Sequence, residues 1–209
     1  MLKLWGRANS SNVMKVIWTL EELGLAYARV DLGGPFGGTG TPDYRAMNPL
    51  GVVPTLEEPD GFTLFESNAI IRYLCNAHAV ESGLYPRAAR ARGVVDTWLD
   101  FQQTALNRPM GVLFLGLVRT APEKRDNAAI TAAIAEAAGI WTILDGRLAK
   151  QAYVAGDALT LADIAFGVHA HRWLTLDIPG RPLLGSLSAW YGRLLALPAY
   201  KKHCAIVIT

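Results

Sequence analysis

The chain reads as α/β followed by all-α. Three observations predict this fold class. The strand-sized apolar runs fall in the first 65 residues, between helical stretches. After Pro86 the periodicity is helical throughout. Between the two, Glu81-Ser82-Gly83-Leu84-Tyr85-Pro86 carries the Gly and Pro punctuation of a connection. We therefore expect an α/β domain over 1–79, a linker over 80–88 and a helical bundle domain over 89–209.

Each element has its own signal. Leu2 to Trp5 is a brief apolar run closed by the polar turn Arg7-Ala8-Asn9-Ser10. Val13, Val16, Ile17 and Leu20 then recur at i, i+3, i+4, i+7, which predicts a helix stopped at Gly24. Residues 26–32 read as a second strand, so 2–32 has the size of a βαβ unit with a parallel strand pair. Gly33-Gly34-Pro35-Phe36-Gly37-Gly38-Thr39-Gly40 reads as a flexible connector. It lacks the Gly-Lys-Ser/Thr of a phosphate loop and leads into Thr41-Pro42 rather than into a helix. Val53–Glu57 and Phe62–Phe65 flank the turn residues Glu58-Pro59-Asp60-Gly61 and predict a hairpin. A helix with Ile70, Ile71, Leu74 and Cys75 on its buried side follows, giving the order βαβ-ββα. In the second half we expect one long helix over 89–118 bent at Pro109, then helices over 123–150, 160–176 and 186–197. Thr160-x-x-Asp163 is a capping box with Asp in the usual Glu position, a structural device.

Composition bounds the function. With 209 residues, 51% hydrophobic and a formal charge of +2, the chain has material for a real core and is not a disordered segment. No basic cluster is longer than the pair Lys201-Lys202, which argues against nucleic acid as a partner. Two cysteines, Cys75 and Cys204, cannot staple a chain of this size and suggest a reducing, cytoplasmic setting. The apolar run Gly111 to Val118 is too short to span a bilayer, and Met1 to Asn12 lacks the apolar stretch of a signal peptide, so no membrane is expected. His169 and His171 lie two apart on a helix and diverge, so no metal pair is expected.

Three short segments bear on chemistry, and each has two readings. Ser10-Ser11-Asn12 stands where the first helix begins. It can cap that helix, or its hydroxyls can join the helix N-terminus in binding an anion, a thiolate included. Pro54, in Gly51-Val52-Val53-Pro54-Thr55-Leu56, can be an ordinary trans edge proline. In the cis form it would turn the Val53 backbone outward to pair with an extended peptide. Glu66-Ser67 can cap the helix it opens, or hold the carboxylate and ammonium of an amino-acid head group.

Taken together the segments resemble the cytosolic glutathione transferase family, in its bacterial type with a Ser/Asn active-site turn. Met1 to Gly6 leading into Ser10-Ser11-Asn12-Val13 resembles the family's first strand and active-site turn. Asn48-Pro49-Leu50-Gly51-Val52-Val53-Pro54 resembles its Asn-Pro-x-Gly-Lys/Gln-Val-Pro segment. Phe65-Glu66-Ser67-Asn68-Ala69-Ile70 resembles its Glu-Ser-x-Ala-Ile signature, and Gly156-Asp157 through Asp163 its helical-domain cap motif. The motifs stand in family order across essentially the whole chain.

That resemblance implies a thioredoxin-like N-terminal domain that binds glutathione as co-substrate, without a metal. It also implies a homodimer and a second substrate, a small hydrophobic electrophile, in a cleft between the domains. In Ser-type classes the catalytic Ser lies six positions before an apolar residue of the first helix. With Val16 as that residue the match is Ser10, with Asn12 as helper or replacement. The same matching gives Val53 and Pro54 the backbone pairing, Glu66 and Ser67 the γ-glutamyl end and Thr39 a place at the glycyl end. Family position makes Met110, Phe114 and Trp173 candidates for lining the electrophile site, although their helical spacing equally fits plain core.

Two departures stand out. Val52 occupies a position where the family commonly has Lys or Gln, and Thr39 one that is often basic, so the glycyl end is expected to be held weakly or by a replacement contact from elsewhere in the chain. The expected activity is glutathione S-transferase. Two other readings are a disulfide reductase working through bound glutathione and Asn12, and a binding module that kept the fold without catalysis. The catalytic Cys of redox members is Ser10 here, which argues against disulfide exchange through a protein sulfur.

Overall fold

The computed structural model describes residues 1–209. Its sheet has four strands in the order β2-β1-β3-β4: β1 (Leu2–Trp5), β2 (Tyr27–Val30), β3 (Thr55–Glu57) and β4 (Thr63–Phe65). The β1–β2 pair is parallel, with Leu2 opposite Tyr27, and the other two pairs are antiparallel, with Leu4 opposite Leu56 and Leu56 opposite Leu64. Leu2 and Leu4 point into the core while Lys3 faces out, the alternation of a half-buried strand. The crossover α1 (Ser11–Glu22) buries Val13, Val16, Ile17 and Leu20 as their spacing requires. The hairpin is followed by α3 (Ser67–His78).

A helix that periodicity does not announce lies between them. The Gly-rich connector leads into α2 (Pro42–Met47), not past it, which corrects the reading of that stretch. Thr41 accepts a hydrogen bond from the Tyr44 N–H at 3.4 Å, Pro42 opens the helix and Asp43 sits in its first turn. These are start signals. Six residues are too few to show a repeating apolar face.

The helical half comprises α4 (Ala89–Phe101), α5 (Asn107–Phe114), α6 (Asn127–Leu148), α7 (Leu161–Thr175), α8 (Gly185–Leu195) and α9 (Pro198–His203). The helix expected over 89–118 does not bend at Pro109 alone. It widens into π-helical turns at Gln102–Leu106 and Leu115–Arg119, on either side of α5. Pro109 has no N–H for the Ala105 carbonyl and its ring crowds that oxygen, so the widening sits one turn upstream.

By length and hydropathy (mean 1.4 over its most apolar window) α6 could cross a bilayer, a feature that a search for unbroken apolar runs misses. Its apolarity has a use inside the fold: Ile130, Ala133, Ala137, Ile140, Trp141, Leu144 and Leu148 are buried against neighbouring helices. The two halves share one core. A single cluster of 42 buried apolar residues runs from Leu2 to Cys204, so residues 80–88 join the halves without separating them. Trp18 of α1 meets Tyr200 of α9 at 4.8 Å between ring centroids, and Tyr200 Oη donates to the Gly167 carbonyl at 2.9 Å. Asp163 closes the capping box. It accepts from the Thr160 N–H and Oγ1, and also from the Val154 N–H and Trp190 Nε1, all within 3.1 Å.

Candidate active site

The turn between β1 and α1 is tied to β2. The Gly6 N–H donates to the Val30 carbonyl at 2.9 Å and the Arg7 N–H to the Leu32 carbonyl at 3.0 Å. A Cβ on Gly6 (φ 152) would lie 2.6 Å from Val13 Cγ2, so only glycine lets the turn fold back on α1. Ser10 takes the N-cap position with extended backbone (φ −83, ψ 125), yet its hydroxyl makes no capping bond. Helix and cap residue are in place, and Ser10 Oγ is left free at the positive end of α1.

The second wall is the loop before β3. Buried Asn48 organises it: Asn48 Nδ2 donates to the Val52 carbonyl at 2.8 Å and to Thr55 Oγ1 at 3.1 Å, while Oδ1 accepts from the Leu50 N–H. Tyr44 Oη, brought by α2, adds a 2.7 Å bond to the same Val52 carbonyl. The Val53–Pro54 peptide is cis. The Val53 N–H and C=O make no hydrogen bond within the chain and so remain open for pairing.

The third wall is the start of α3. Glu66 takes a positive φ of 69, an unusual and costly conformation for a side chain of this kind, and its exposed carboxylate caps nothing. Ser67 is buried and its Oγ donates to Asn12 Oδ1 at 3.3 Å, joining α3 to α1.

These walls enclose two adjoining cavities. One, of about 330 Å³, is lined by Arg7, Ser10, Asn12, Thr39, Val52 and Val53 together with Gly33, Gly34 and Gly51. The other, of about 80 Å³, is lined by Asn12, Val53, Pro54, Glu66, Ser67 and Gln103, among others. Asn12, Val52 and Val53 border both. The fold thus brings Ser10, Asn12, Thr39, Val53, Pro54, Glu66 and Ser67 to one continuous depression.

The structure does not bring Met110 and Trp173 to a cavity. Met110 is 1% exposed and Trp173 not at all, its ring stacked on Trp141 at 6.1 Å. Apolar residues at helical spacing look alike in core and in pocket wall, and here core wins. Phe114 is only half-buried, with the Arg172 guanidinium 4.0 Å above its ring. Both cysteines are buried. Burial pushes the Cys75 thiol up to about 12 and raises Cys204 as well, so neither supplies a thiolate near neutral pH.

Sequence reasoning missed Arg7, Gln103 and Lys15. Gln103 reaches the cavity from the π-helical turn, whose only sequence signal is Pro109 downstream. Lys15 is fully buried on α1 and donates to Asn68 Oδ1 at 3.1 Å and Gln102 Oε1 at 2.7 Å. A lysine in an amphipathic helix ordinarily reads as solvated, so nothing flagged it.

Comparison with known proteins follows the same lines. Residues 9–77 match the family model for the glutathione S-transferase N-terminal domain, and residues 127–193 that for its C-terminal domain. The chain belongs to the glutathione S-transferase family. It is 38% identical to glutathione S-transferase GstB of Escherichia coli over the full length of both chains. It is 33% identical to glutathione S-transferase 3 of Zea mays, over 99% of this chain and 94% of the relative. A theta class glutathione S-transferase from Xanthomonas axonopodis, solved with glutathione bound, superposes with a TM-score of 0.94 at 42% identity, covering 100% of this chain and 99% of that one. This glutathione S-transferase carries Ser10, Asn12, Thr39, Val53, Pro54, Glu66 and Ser67 inside the segment matched to the N-terminal domain. Gln103, Phe114 and Arg119 fall between the two matched segments.

Proposed function

We propose that this glutathione transferase activates its co-substrate at Ser10. The free Ser10 hydroxyl donates to the glutathione sulfur, and the Asn12 amide assists from the seam between the two cavities. Glu66 holds the γ-glutamyl ammonium, while Ser67 and the N-terminus of α3 hold its carboxylate. The Val53 backbone beside Pro54 pairs with the peptide, and Thr39 borders the glycyl end. The observation that carries this reading is the position of Ser10 Oγ: at a helix N-terminus, in a cavity wall, bonded to nothing in the chain.

The energetics suit the task. A thiol of pKa near 8.5 needs a drop of about 2 units, roughly 2.7 kcal/mol, to be mostly thiolate at neutral pH. A hydrogen bond to a charged group supplies about 1.5–3 kcal/mol, and a helix N-terminus about 0.3–1. Together they suffice. The thiolate then attacks an electrophilic carbon held between the halves, where proximity supplies much of the remaining rate. Homodimeric assembly, a cytoplasmic location and a role in clearing reactive electrophiles complete the reading, supported by the family resemblance.

Conjugation to 1-chloro-2,4-dinitrobenzene, measured beside reduction of a small glutathione mixed disulfide, tests it in wild type, Ser10→Ala and Asn12→Ala. Conjugation should fall most in Ser10→Ala. Disulfide reduction that depends on Asn12 while conjugation survives Ser10→Ala would move the activity to the reductase reading. Absence of glutathione binding would leave only a binding module.

A further inference from the structure

Three arginines gather around the active-site turn without an Asp or Glu partner. Arg7 lines the larger cavity with Ser10 and lies along the Gly-rich connector, where a Cβ on Gly34 would meet Arg7 Cδ and Nε at 3.1 Å. Arg172, 8% exposed, donates to the Asn9 carbonyl at 2.9 Å and covers the Phe114 ring at 4.0 Å. Arg119 lies 5.4 Å from the centroid of the same ring and donates at 2.7 Å to the terminal oxygen of Thr209, the last residue. Every ion pair between side chains lies elsewhere.

The cluster is electrostatically uncomfortable. Burial lowers the Arg7 pKa and nearby Arg119 lowers it further. Burial, then Arg7 and Arg119, bring Arg172 down to about 10. Like charges held together in a half-buried place need an opposing charge; of the three, the Thr209 oxygen meets Arg119 alone, and no Asp or Glu side chain pairs with Arg7 or Arg172. Glutathione is a poor candidate for all three. Its proposed partners lie on the α/β half, whereas Arg119, Arg172 and the Phe114 ring beneath them belong to the helical half, across the cleft.

We propose that Arg7, Arg119 and Arg172 form a subsite for an acid group on the second substrate, so that this transferase favours small electrophiles bearing a carboxylate over neutral apolar ones. The half-buried Phe114 ring beneath the cations makes their surroundings partly apolar, which suits a compact molecule with one charged end. The proposal rests on Ser10 marking the position of the glutathione sulfur.

The test pairs 4-chloro-3-nitrobenzoate with its methyl ester. In both, the glutathione sulfur bonds to the ring carbon that bears chlorine, chloride leaves with its electron pair and the thiol proton goes to solvent. Rates are divided by the uncatalysed rate for each compound. Wild type should favour the acid over the ester by about ten-fold, the worth of one charged hydrogen bond. Arg119→Met and Arg7→Met, each checked for fold by circular dichroism, should cut that ratio several-fold. A wild type that favours the ester, or variants that lose acid and ester equally, would overturn the proposal. So would a rise confined to the KM for glutathione, which would place the arginines on the co-substrate. If neither compound nor neutral 1-chloro-2,4-dinitrobenzene reacts, the reading of Ser10 itself fails and the acid subsite falls with it.

Discussion

The buried ammonium of Lys15 donates to Asn68 Oδ1 at 3.1 Å, one residue beyond the Ser67 that faces the cavity. Its other acceptor, Gln102 Oε1, begins a relay: Gln102 Nε2 donates to Asn107 Oδ1, and Asn107 Nδ2 to Gln103 Oε1, both at 3.3 Å. Gln103 borders the same cavity from the helical half. One buried cation thus links two walls of the site across the boundary between the halves.

That position has a pH signature. Burial brings Lys15 down to about 7, with Glu66 opposing the shift, while an unfolded lysine titrates near 10.4. Between those values the unfolded chain binds more protons than the folded one, so stability rises with pH across the window. Below about 7 the cost of burying the charge is fully present. Wild type should gain about 2 kcal/mol more between pH 7 and 9 than Lys15→Met, which lacks the titrating group. Urea denaturation of both proteins at the two pH values measures the difference. Equal gains would mean that Lys15 keeps its proton throughout.

The close approach of α1 and α7 makes a second prediction. A Cβ on Gly167 would lie 2.7 Å from Trp18 Cζ3 and 3.1 Å from Leu194 Cδ1. Trp18 cannot swing away easily, because its Nε1 donates to Glu22 at 2.8 Å and Tyr200 packs on its ring. Gly167→Ala should therefore cost about 1–3 kcal/mol by overpacking. Gly146→Ala, on α6 with open space at the same position, should be neutral or better by up to about 1 kcal/mol. Thermal unfolding of the pair decides: a harmless Gly167→Ala would show that the two halves are loosely packed.

How much of this was legible before the structure depends on the range of the physics involved. Val13, Val16, Ile17 and Leu20 reveal α1 because burial of one helix face repeats within the element itself. Ser10, Val53, Glu66 and Ser67 stood out as candidates because helix starts and a proline loop are local signals, while the roles expected of them came from the family resemblance. Helix α2 escaped for lack of length. Lys15, Gln103 and the arginine cluster escaped for a different reason: each depends on partners 50 to 165 residues away, such as Lys15 with Asn68 and Gln102 or Arg172 with Asn9, and no spacing in the sequence encodes those encounters. Met110 and Trp173 show the converse, apolar residues whose pattern fits two fates and whose surroundings choose one.

Val52 allows the glycyl end to be tested. Its side chain is 53% exposed at the cavity rim, while its carbonyl is fixed by Tyr44 and Asn48, so a longer side chain disturbs no internal bond. Val52→Lys adds a cation at a position whose own side chain offers no donor. An exposed charge pair is worth about 0.2–1 kcal/mol, so the glutathione dissociation constant should tighten by a factor between about 1.4 and 5. The gain should fade as salt is raised. Calorimetric titration at low and high salt measures both. An unaltered constant would indicate that another cation, such as Arg7 or the exposed Arg45 beside Gly51, already serves that end.

Thiolate stabilisation at Ser10 can be separated from binding by titrating the bound sulfur. Ser10 Oγ has no partner in the chain, so Ser10→Ala removes a donor without stranding another group. Losing a hydrogen bond to a charged acceptor, about 1.5–3 kcal/mol, corresponds to a rise of about 1–2 units in the pKa of glutathione held by the enzyme. Asn12 differs, because its Oδ1 already accepts from Ser67 Oγ, which leaves only the amide hydrogens for the sulfur. Asn12→Ala therefore also removes the group that positions Ser67 Oγ in the cavity wall, and should weaken glutathione binding as well as raise the thiol pKa. Thiolate absorbance followed against pH, at saturating glutathione, gives the pKa for each protein, and the rise of kcat with pH should shift by the same amount. A Ser10→Ala enzyme whose bound thiol titrates as in wild type would transfer the stabilising role from Ser10 to Asn12 and the helix terminus.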